Sequence, residues 1–145
     1  MPAIEAVLFD MDGVLSAYDF DARLQALQGE LGVDAAIIRE KIFESGFEDK
    51  ADLGHMTASE YLDGVSTRLG KTVSRAQWLS ARVGVMAPDE EMLALARDLQ
   101  AVVDVAMLTN NGLFLAECID DVMPSLREVF GPEMYFSGVL GMGKE

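Results

Sequence analysis

The residues that decide the fold are residues 4–15, IEAVLFDMDGVL. Their first half is a nearly continuous apolar run, and it leads directly into Asp10, Asp12 and Gly13. Such a run is typical of a buried strand in a parallel sheet, and aspartate followed by glycine favours a turn. The stretch therefore predicts a buried strand over residues 4–9, with both aspartates at its carboxyl end.

The same strand-and-turn pattern returns twice further along the chain. Residues 102–108 form a second apolar run, followed by the polar turn Thr109-Asn110-Asn111-Gly112 and a helical pattern over about residues 113–122. Residues 134–136 are a third, shorter strand candidate, followed by a glycine-rich tail. Strand, polar turn and helix in alternation predict an α/β fold with a parallel sheet.

Helical periods fill the long segment between the first two strands. Apolar residues recur there at intervals of three and four, which predicts four or five amphipathic helices. The helix starts are indicated by Thr57 with Glu60 as a capping box and by Ser74 as an N-cap. Pro88 predicts the first turn of a helix that ends near residue 100. The helical segment is best described as an insertion into the sheet domain.

Composition and charge narrow the possible functions. The chain has 145 residues, of which half are hydrophobic and a quarter charged, so we expect a folded protein. No apolar run approaches the roughly 20 residues of a membrane helix, and the first residues lack a secretory signal, which favours a cytoplasmic location. The net charge of -14 argues against nucleic acid as a partner. The lone Cys118 is expected to be a buried filler.

The spacing of Asp10 and Asp12 indicates a pair of carboxylates that could act together in catalysis. Residues two apart in an extended chain point to the same side, so these two carboxylates can face one site. Such a pair can divide its work, with one carboxylate attacking or holding a cation and the other donating a proton. An alternative is a strand end with two turn-forming aspartates and no function. The motif alone leaves both interpretations open.

Three motifs in order resemble those of one family. Residues 9–15, FDMDGVL, resemble the first motif of the haloacid dehalogenase-like (HAD) hydrolases. Residues 108–110, LTN, resemble the second motif, and Lys144 in residues 140–144 resembles the third. The likeness spans the whole chain and is closest to subfamily I, which has a helical C1 cap.

The resemblance implies a domain organisation. Residues 1–16 and 102–145 would form a Rossmann-like (HAD-like) core, and residues 17–101 would form the inserted α-helical cap. The family continues past the third-motif lysine with a fourth motif and further strands, which this sequence does not show. The core is therefore expected to be truncated after the third strand, with only the amino-terminal part of the family's fold present.

The resemblance also implies a role for each motif residue. Asp10 would attack phosphorus and form an aspartyl-phosphate, and Asp12 would protonate the leaving alcohol and then activate water. Thr109 and Asn110 would bind phosphoryl oxygens, and Lys144 would offset the charge of the transferring group. A magnesium ion, Mg²⁺, would be held by Asp10 and by the backbone carbonyl of Asp12, together with acids of the fourth motif.

The function expected from these features is a magnesium-dependent phosphate monoester hydrolase that acts on a small phosphorylated metabolite such as a sugar phosphate. One alternative is a non-catalytic, truncated relative. A haloacid dehalogenase is disfavoured because that branch lacks an acid at the position of Asp12. A receiver-like module that takes phosphate from a partner is disfavoured by the large helical insertion.

Two further expectations concern surfaces. Without the family's additional strand, residues 4–9 would form an apolar sheet edge, which predicts pairing with a second copy of the chain and a homo-oligomer. Within the helical segment, Phe43, Phe47 and Trp78 are expected to pack together, whereas the acidic run over residues 47–49 is expected to be a solvated face.

Overall fold

The structure is a computed structural model that describes residues 3–144. Three parallel strands form the main sheet at its centre. The strands are β1 (Ala6–Phe9), β2 (Ser16–Tyr18), β3 (Met86–Pro88), β4 (Asp104–Thr109) and β5 (Met134–Phe136). The helices are α1 (Phe20–Leu31), α2 (Ala35–Ile38), a π-helical turn (Arg39–Phe43), α3 (Phe47–Asp52), α4 (Ala58–Leu69), α5 (Arg75–Val83), α6 (Glu90–Leu99), α7 (Leu113–Val122), α8 (Pro124–Phe130) and α9 (Ser137–Leu140). This element order confirms the predicted α/β class.

The main sheet has the strand order β1-β4-β5 and is parallel throughout. Phe9 lies opposite Met107, and Thr109 lies opposite Phe136. All three strands therefore end at the same edge of the sheet. The residues that follow these strands are brought together there, as the sequence predicted.

The first two strands of this sheet are shorter at their amino ends than predicted. Ile4 is 73% exposed and precedes β1, which begins only at Ala6. Val102 is 76% exposed, and its N–H donates to the carbonyl of Leu99 at 3.0 Å. The apolar residue 102 therefore belongs to the turn that closes α6, because the unpaired carbonyls of a helix end need donors.

The predicted helix starts are confirmed at two of three positions. Thr57 and Ser74 both cap helices with complete capping boxes. The prediction for Pro88 was wrong, because Pro88 is the last residue of β3 and α6 begins at Glu90. Asp89 supplies the cap instead, since its side chain accepts a hydrogen bond from the N–H of Met92.

A small antiparallel ribbon was not predicted. β2 pairs with β3, and Ser16 lies opposite Pro88. Strands of three residues are too short to show an alternating pattern, so the sequence gave no signal for them. The ribbon joins the point where the chain enters the helical segment to the point where it leaves that segment.

The boundary between core and cap stays a prediction. α1 packs against α5 within the inserted segment, whereas α6 packs against β4 and α8. This packing favours assigning residues 90–99 to the sheet side rather than to the cap. None of the helices in residues 3–144 combines the length and hydrophobicity that crossing a bilayer requires.

Aromatic side chains form the core of the helical segment. Trp78 is 1% exposed and stacks on Phe43 with 6.2 Å between ring centroids, and Phe47 stacks on Tyr61 at 5.4 Å. The predicted packing of these side chains is confirmed. The prediction of a solvated face over residues 47–49 was wrong for its first two residues, because Phe47 is buried and Glu48 accepts a hydrogen bond from the hydroxyl of Tyr61 at 2.7 Å.

The main sheet is covered on one face more than on the other. Val105, Met107 and Thr109 of β4 are buried. On the opposite face Leu8 is 61% exposed and Tyr135 is 39% exposed. β1 has β4 on one side and, within residues 3–144, no strand on its other side. Cys118 is buried, as predicted.

Glycines allow three backbone segments to touch beneath the sheet edge. A Cβ atom added at Gly54 would lie 2.1 Å from the carbonyl oxygen of Gly138, and one added at Gly138 would lie 2.7 Å from Cα of Gly112. Gly54 also has a φ of +81°, which favours glycine. The loop after α3 is thereby held against α9 and the start of α7.

We expect Gly54→Ala to lower the free energy of unfolding by about 2 to 4 kcal/mol, because it adds a steric clash to a strained backbone conformation. Thermal denaturation followed by circular dichroism measures the loss. Gly29→Ala is the matched control, since Gly29 lies in α1 with no atom near its added Cβ. That change should raise stability by up to about 1 kcal/mol. Equal stability of the two variants would contradict the proposed close approach.

Candidate active site

Asp10 and Lys144 form an ion pair at the carboxyl edge of the sheet. Lys144 Nζ lies 3.0 Å from Asp10 Oδ1 and donates to the carbonyl of Leu108 at 3.1 Å. The backbone N–H of Lys144 donates to Asn110 Oδ1 at 2.9 Å. The carboxyl end of β4 therefore positions the lysine, and the lysine faces the first aspartate.

A tight turn after β1 orients the two aspartates. Met11 is fully buried, and its carbonyl accepts hydrogen bonds from the N–H groups of Val14, Leu15 and Ser16. The buried side chain of Met11 holds the turn against the core. The side chains of its two neighbours are partly exposed to solvent, Asp10 by 48% and Asp12 by 27%. Both carboxylates are thus available at the same edge.

Arg82 and Asn111 hold Asp12. Arg82 Nη2 donates to both carboxylate oxygens of Asp12, at 3.1 and 2.9 Å. Asn111 Nδ2 lies 3.3 Å from Asp12 Oδ2 and donates to Thr109 Oγ1 at 2.7 Å. A polar network therefore joins the turn after β1, the end of β4 and the end of α5, and charge-assisted bonds of this kind are the stronger ones.

The structure brings together the residues that the sequence singled out. Asp10, Asp12, Thr109, Asn110 and Lys144 all lie at the carboxyl edge of β1 and β4. Lys144 contacts both Asp10 and Asn110, and Asn111 contacts both Asp12 and Thr109. Their individual roles in catalysis stay predictions.

Sequence reasoning missed two members of this network. Asn111 lies in the same polar turn as Thr109 and Asn110, so the sequence showed a polar residue there. The sequence did not show that its side chain points towards Asp12. Arg82 is separated from Asp12 by 70 positions and lies at the end of a helix in the inserted segment. No local pattern marks such a residue, because only the packing of that helix brings it to the sheet edge.

A small cavity adjoins Arg82 and Asn111 on the side of the inserted helices. Its volume is about 30 Å³, and its lining includes Arg23, Glu48 and Tyr61. The hydroxyl of Tyr61 donates to Glu48 and accepts a hydrogen bond from Trp78 Nε1 at 3.2 Å. Burial, followed by the nearby Glu48, raises the pKa of Tyr61 well above its ordinary value.

Three acidic residues crowd α3, and two of them have shifted pKa values. Burial is the main cause that raises the pKa of Glu48, and it is opposed chiefly by Arg23. Burial, together with Glu48 and Asp49, raises the pKa of Asp52 to about 7. These acids do not form a metal centre, and residues 3–144 contain no group of three or more His, Cys, Asp or Glu side chains arranged to hold a metal ion. A cation at this edge would therefore need ligands other than clustered side chains.

Comparison with solved structures identifies the fold. The HAD family enzyme BT-2542 from Bacteroides thetaiotaomicron, in complex with magnesium and inorganic phosphate, matches with a TM-score of 0.74 and 22% identity. The match covers 98% of this chain and 73% of that one. This chain has the HAD-like fold. A predicted HAD-like family hydrolase from Porphyromonas gingivalis matches with a TM-score of 0.80 and 20% identity, over 97% of this chain and 70% of that one.

The comparison confirms the predicted HAD-like α/β fold over nearly the whole chain. Searches by sequence add nothing to it, since no protein-family profile and no curated protein matches. At these identities the likeness shows the fold alone. Activity, metal and substrate have to be argued from the side chains at the carboxyl edge of the sheet.

The shifted acid on α3 predicts a pH-dependent stability. The pKa of Asp52 is raised from 3.8 to about 7, so the folded state holds more protons than the unfolded state between these values. The contribution of Asp52 to the free energy of unfolding therefore falls as the pH rises through this window. Asp52→Asn should be more stable than the wild type at about pH 8, by on the order of 1 kcal/mol after allowance for solvent screening.

The gain from Asp52→Asn should disappear near pH 4, where the wild-type carboxyl is protonated in the folded protein. Thermal denaturation across this pH range measures it. Asp63→Asn, an exposed change on α4, is the control and should show no such trend. A gain that is constant with pH would contradict the assignment to this carboxyl.

Proposed function

We propose that this chain is a magnesium-dependent phosphate monoester hydrolase with Asp10 as nucleophile. The observation that carries the proposal is the pairing of Asp10 with Lys144 at 3.0 Å, beside Thr109 and Asn110 at the carboxyl edge of the sheet. Ligands of open α/β sheets bind outside the carboxyl ends of the strands. A nucleophilic carboxylate, a cation and polar donors are thus gathered where a phosphate would sit.

The first step transfers the phosphoryl group to the protein. A carboxylate oxygen of Asp10 attacks phosphorus, a new P–O bond forms, and the bond from phosphorus to the leaving oxygen breaks. The leaving oxygen takes a proton from Asp12 and departs as an alcohol. Lys144 offsets the negative charge of the transferring group, and Thr109 with Asn110 supplies polar groups for its oxygens.

The second step restores Asp10. Water attacks the phosphorus of the aspartyl-phosphate, its proton passes to Asp12, and the bond to Asp10 breaks to release inorganic phosphate. Asp12 ends the cycle in the protonation state in which it began. Splitting one difficult hydrolysis into two transfers lowers each barrier.

The exposed carboxylate of Asp10 suits a magnesium ion. Mg²⁺ prefers oxygen ligands, and it is usually bound through one or two carboxylates, substrate phosphate and several waters. Asp10 and the backbone carbonyl of Asp12 would hold the ion. When bound, the ion supplies positive charge that stabilises charge on the phosphoryl oxygens. The HAD family enzyme from Bacteroides thetaiotaomicron, which shares this fold, has been solved with magnesium and inorganic phosphate.

The inserted helices are proposed to act as the cap of a subfamily I enzyme. The reach of Arg82 from α5 to Asp12 supports a position of the helical segment over the carboxyl edge of the sheet. A small phosphorylated substrate, such as a sugar phosphate, would place its leaving part between this segment and the sheet. Closure of that kind excludes water from the reacting groups.

Magnesium-dependent hydrolysis of 4-nitrophenyl phosphate tests the proposed function. We expect turnover by the wild type that requires Mg²⁺, and none above background for Asp10→Asn, because the nucleophile is lost. Asp12→Asn should lower turnover by roughly 10² to 10⁴, the usual contribution of a general acid and base. A steady-state assay of nitrophenol release measures both effects.

Asp63→Asn is the matched control, since it makes the same chemical change at an exposed position of α4. It should retain wild-type turnover. Turnover that survives in Asp10→Asn would reject Asp10 as nucleophile. Absence of turnover in every protein, with Mg²⁺ present and folding verified, would favour the non-catalytic alternative.

We also propose that a second copy of the chain covers the β1 edge. β1 pairs with β4 on one side, and Leu8 is 61% exposed beside the unpaired side. An apolar edge strand with unpaired backbone groups readily accepts another strand. Pairing of two copies along residues 6–9 would satisfy those groups.

Leu8→Lys should shift the protein towards the monomer, because a lysine on an edge strand opposes pairing. Size-exclusion chromatography with light scattering measures the mass. Leu95→Lys on α6 is the matched control, since Leu95 is also exposed, and it should keep the wild-type mass. A wild type that stays monomeric at high concentration would reject the second copy.

A further inference from the structure

We propose that the cavity between the inserted helices and α7 binds a carboxylate carried by the leaving part of the substrate, through Arg23 and Arg82. The inference rests on the proposed phosphatase function for the identity of the rest of the substrate. It names a substrate class: phosphate monoesters of hydroxy acids. Neither the fold nor the motifs at the sheet edge specify that class.

Arg23 is a buried cation with few partners. Its side chain is on α1 and is 5% exposed. Nη1 donates to the hydroxyl of Tyr18 at 3.2 Å, and Nε is buried without a hydrogen-bond partner. The guanidinium lies over the rings of Phe43 and Trp78, at 5.1 and 5.6 Å from their centroids. Among residues 3–144 no carboxylate lies within 4.0 Å of it.

Burial of the Arg23 guanidinium lowers the stability of the protein when no ligand is bound. A guanidinium remains charged in proteins and carries five N–H donors. Burying a charge without a close partner is strongly unfavourable. The aromatic rings fix the plane of Arg23. Its guanidinium is part of the cavity lining, which suits a planar anion that accepts two hydrogen bonds.

Arg82 connects the cavity to the reacting groups. It is 6% exposed, its Nη2 bonds Asp12, and its Nε is also buried without a partner. Its guanidinium lies over the ring of Tyr18 at 4.9 Å, so both arginines contact the same tyrosine. An anion held between them would be adjacent to Asp12, where the leaving oxygen has to be.

Glu48 is the acidic side chain in the lining of the cavity. Its carboxyl accepts a hydrogen bond from the hydroxyl of Tyr61. Burial raises the pKa of this carboxyl, and the nearby Arg23 opposes the rise. Asp12, which pairs with Arg82, is not part of the lining. The charged groups that line the cavity are thus two guanidinium groups and one carboxyl.

The cavity has room for a carboxylate. Its volume of about 30 Å³ holds roughly two water molecules, which matches the two oxygens of that group. A sugar ring without an acid group would bring no negative charge to the two guanidinium groups.

The test compares two ligands that differ at one carbon: 3-phosphoglycerate, which carries a carboxylate, and glycerol 3-phosphate, which carries a hydroxymethyl group. Calorimetry on Asp10→Asn in the presence of Mg²⁺ measures their binding without turnover. We expect 3-phosphoglycerate to bind at least about tenfold more tightly, since hydrogen bonds to charged groups contribute about 1.5 to 3 kcal/mol.

The preference should disappear when Arg23→Gln is added and remain when Arg97→Gln is added, a matched change at an exposed position of α6. Arg23→Lys keeps the charge without the planar fork and should lose several-fold of the preference. A purely structural role for Arg23 predicts an unchanged preference in Arg23→Gln.

Wild-type kcat/KM for both ligands separates this inference from the proposed function. Equal binding and equal hydrolysis of the two ligands would reject the carboxylate site while supporting the phosphatase. Preferential binding of 3-phosphoglycerate that depends on Arg23, without hydrolysis of either ligand, would support the cavity and reject the phosphatase. Preference for glycerol 3-phosphate would overturn the assignment of the cavity.

Discussion

Parallel pairing of β1 with β4 is the constraint on which the candidate site depends. The register sets Phe9 opposite Met107, so the residues after each strand emerge side by side. Asp10 then faces the turn that begins with Thr109, and this turn also positions Lys144 through Asn110. A shift of one residue in either strand would turn the aspartates away from that turn, because side chains alternate along a strand.

The contact between Asp12 and Arg82 sets the position of the inserted segment. Arg82 stands near the end of α5, and β3, which pairs with β2, begins shortly after it at Met86. The chain enters and leaves the helical segment through the β2-β3 ribbon, and the Arg82–Asp12 ion pair lies close to that ribbon. α1 packs against α5, so the position of α5 also sets that of α1.

The sequence predicted the sheet and the motif residues because these depend on local patterns. Parallel strands show as apolar runs, and the turns after them show as polar residues with glycine, so Asp10, Asp12 and Thr109 were found together. The predicted burial of β1 was wrong, because only Phe9 of this strand is buried. The predictions for Pro88 and Val102 were wrong because each residue lies at the boundary of an element, where a neighbouring residue or turn determines the structure. Asp89 is a stronger helix start than Pro88, and the turn after α6 takes Val102 out of β4.

Arg82, Arg23 and Glu48 could not be predicted because their positions depend on helix packing. Each lies on a helix in which a charged residue is usually solvated. The aromatic core around Trp78 turns these side chains inward instead, and the contacts that reveal them connect distant parts of the chain. Motifs therefore located the residues that are proposed to react, whereas Arg82, Arg23 and Glu48 required the folded arrangement.

The ion pair at Asp12 constrains how the proposed reaction can proceed. Both oxygens of Asp12 accept hydrogen bonds from Arg82, so one oxygen must turn towards the leaving group before a proton can be donated. Such a turn leaves part of the guanidinium unpaired in a buried place, which is costly unless another anion replaces the aspartate. A negative group on the substrate can make that replacement. Recognition of the leaving part and release of Asp12 would then be the same event, and substrates without such a group would leave Asp12 bound to Arg82.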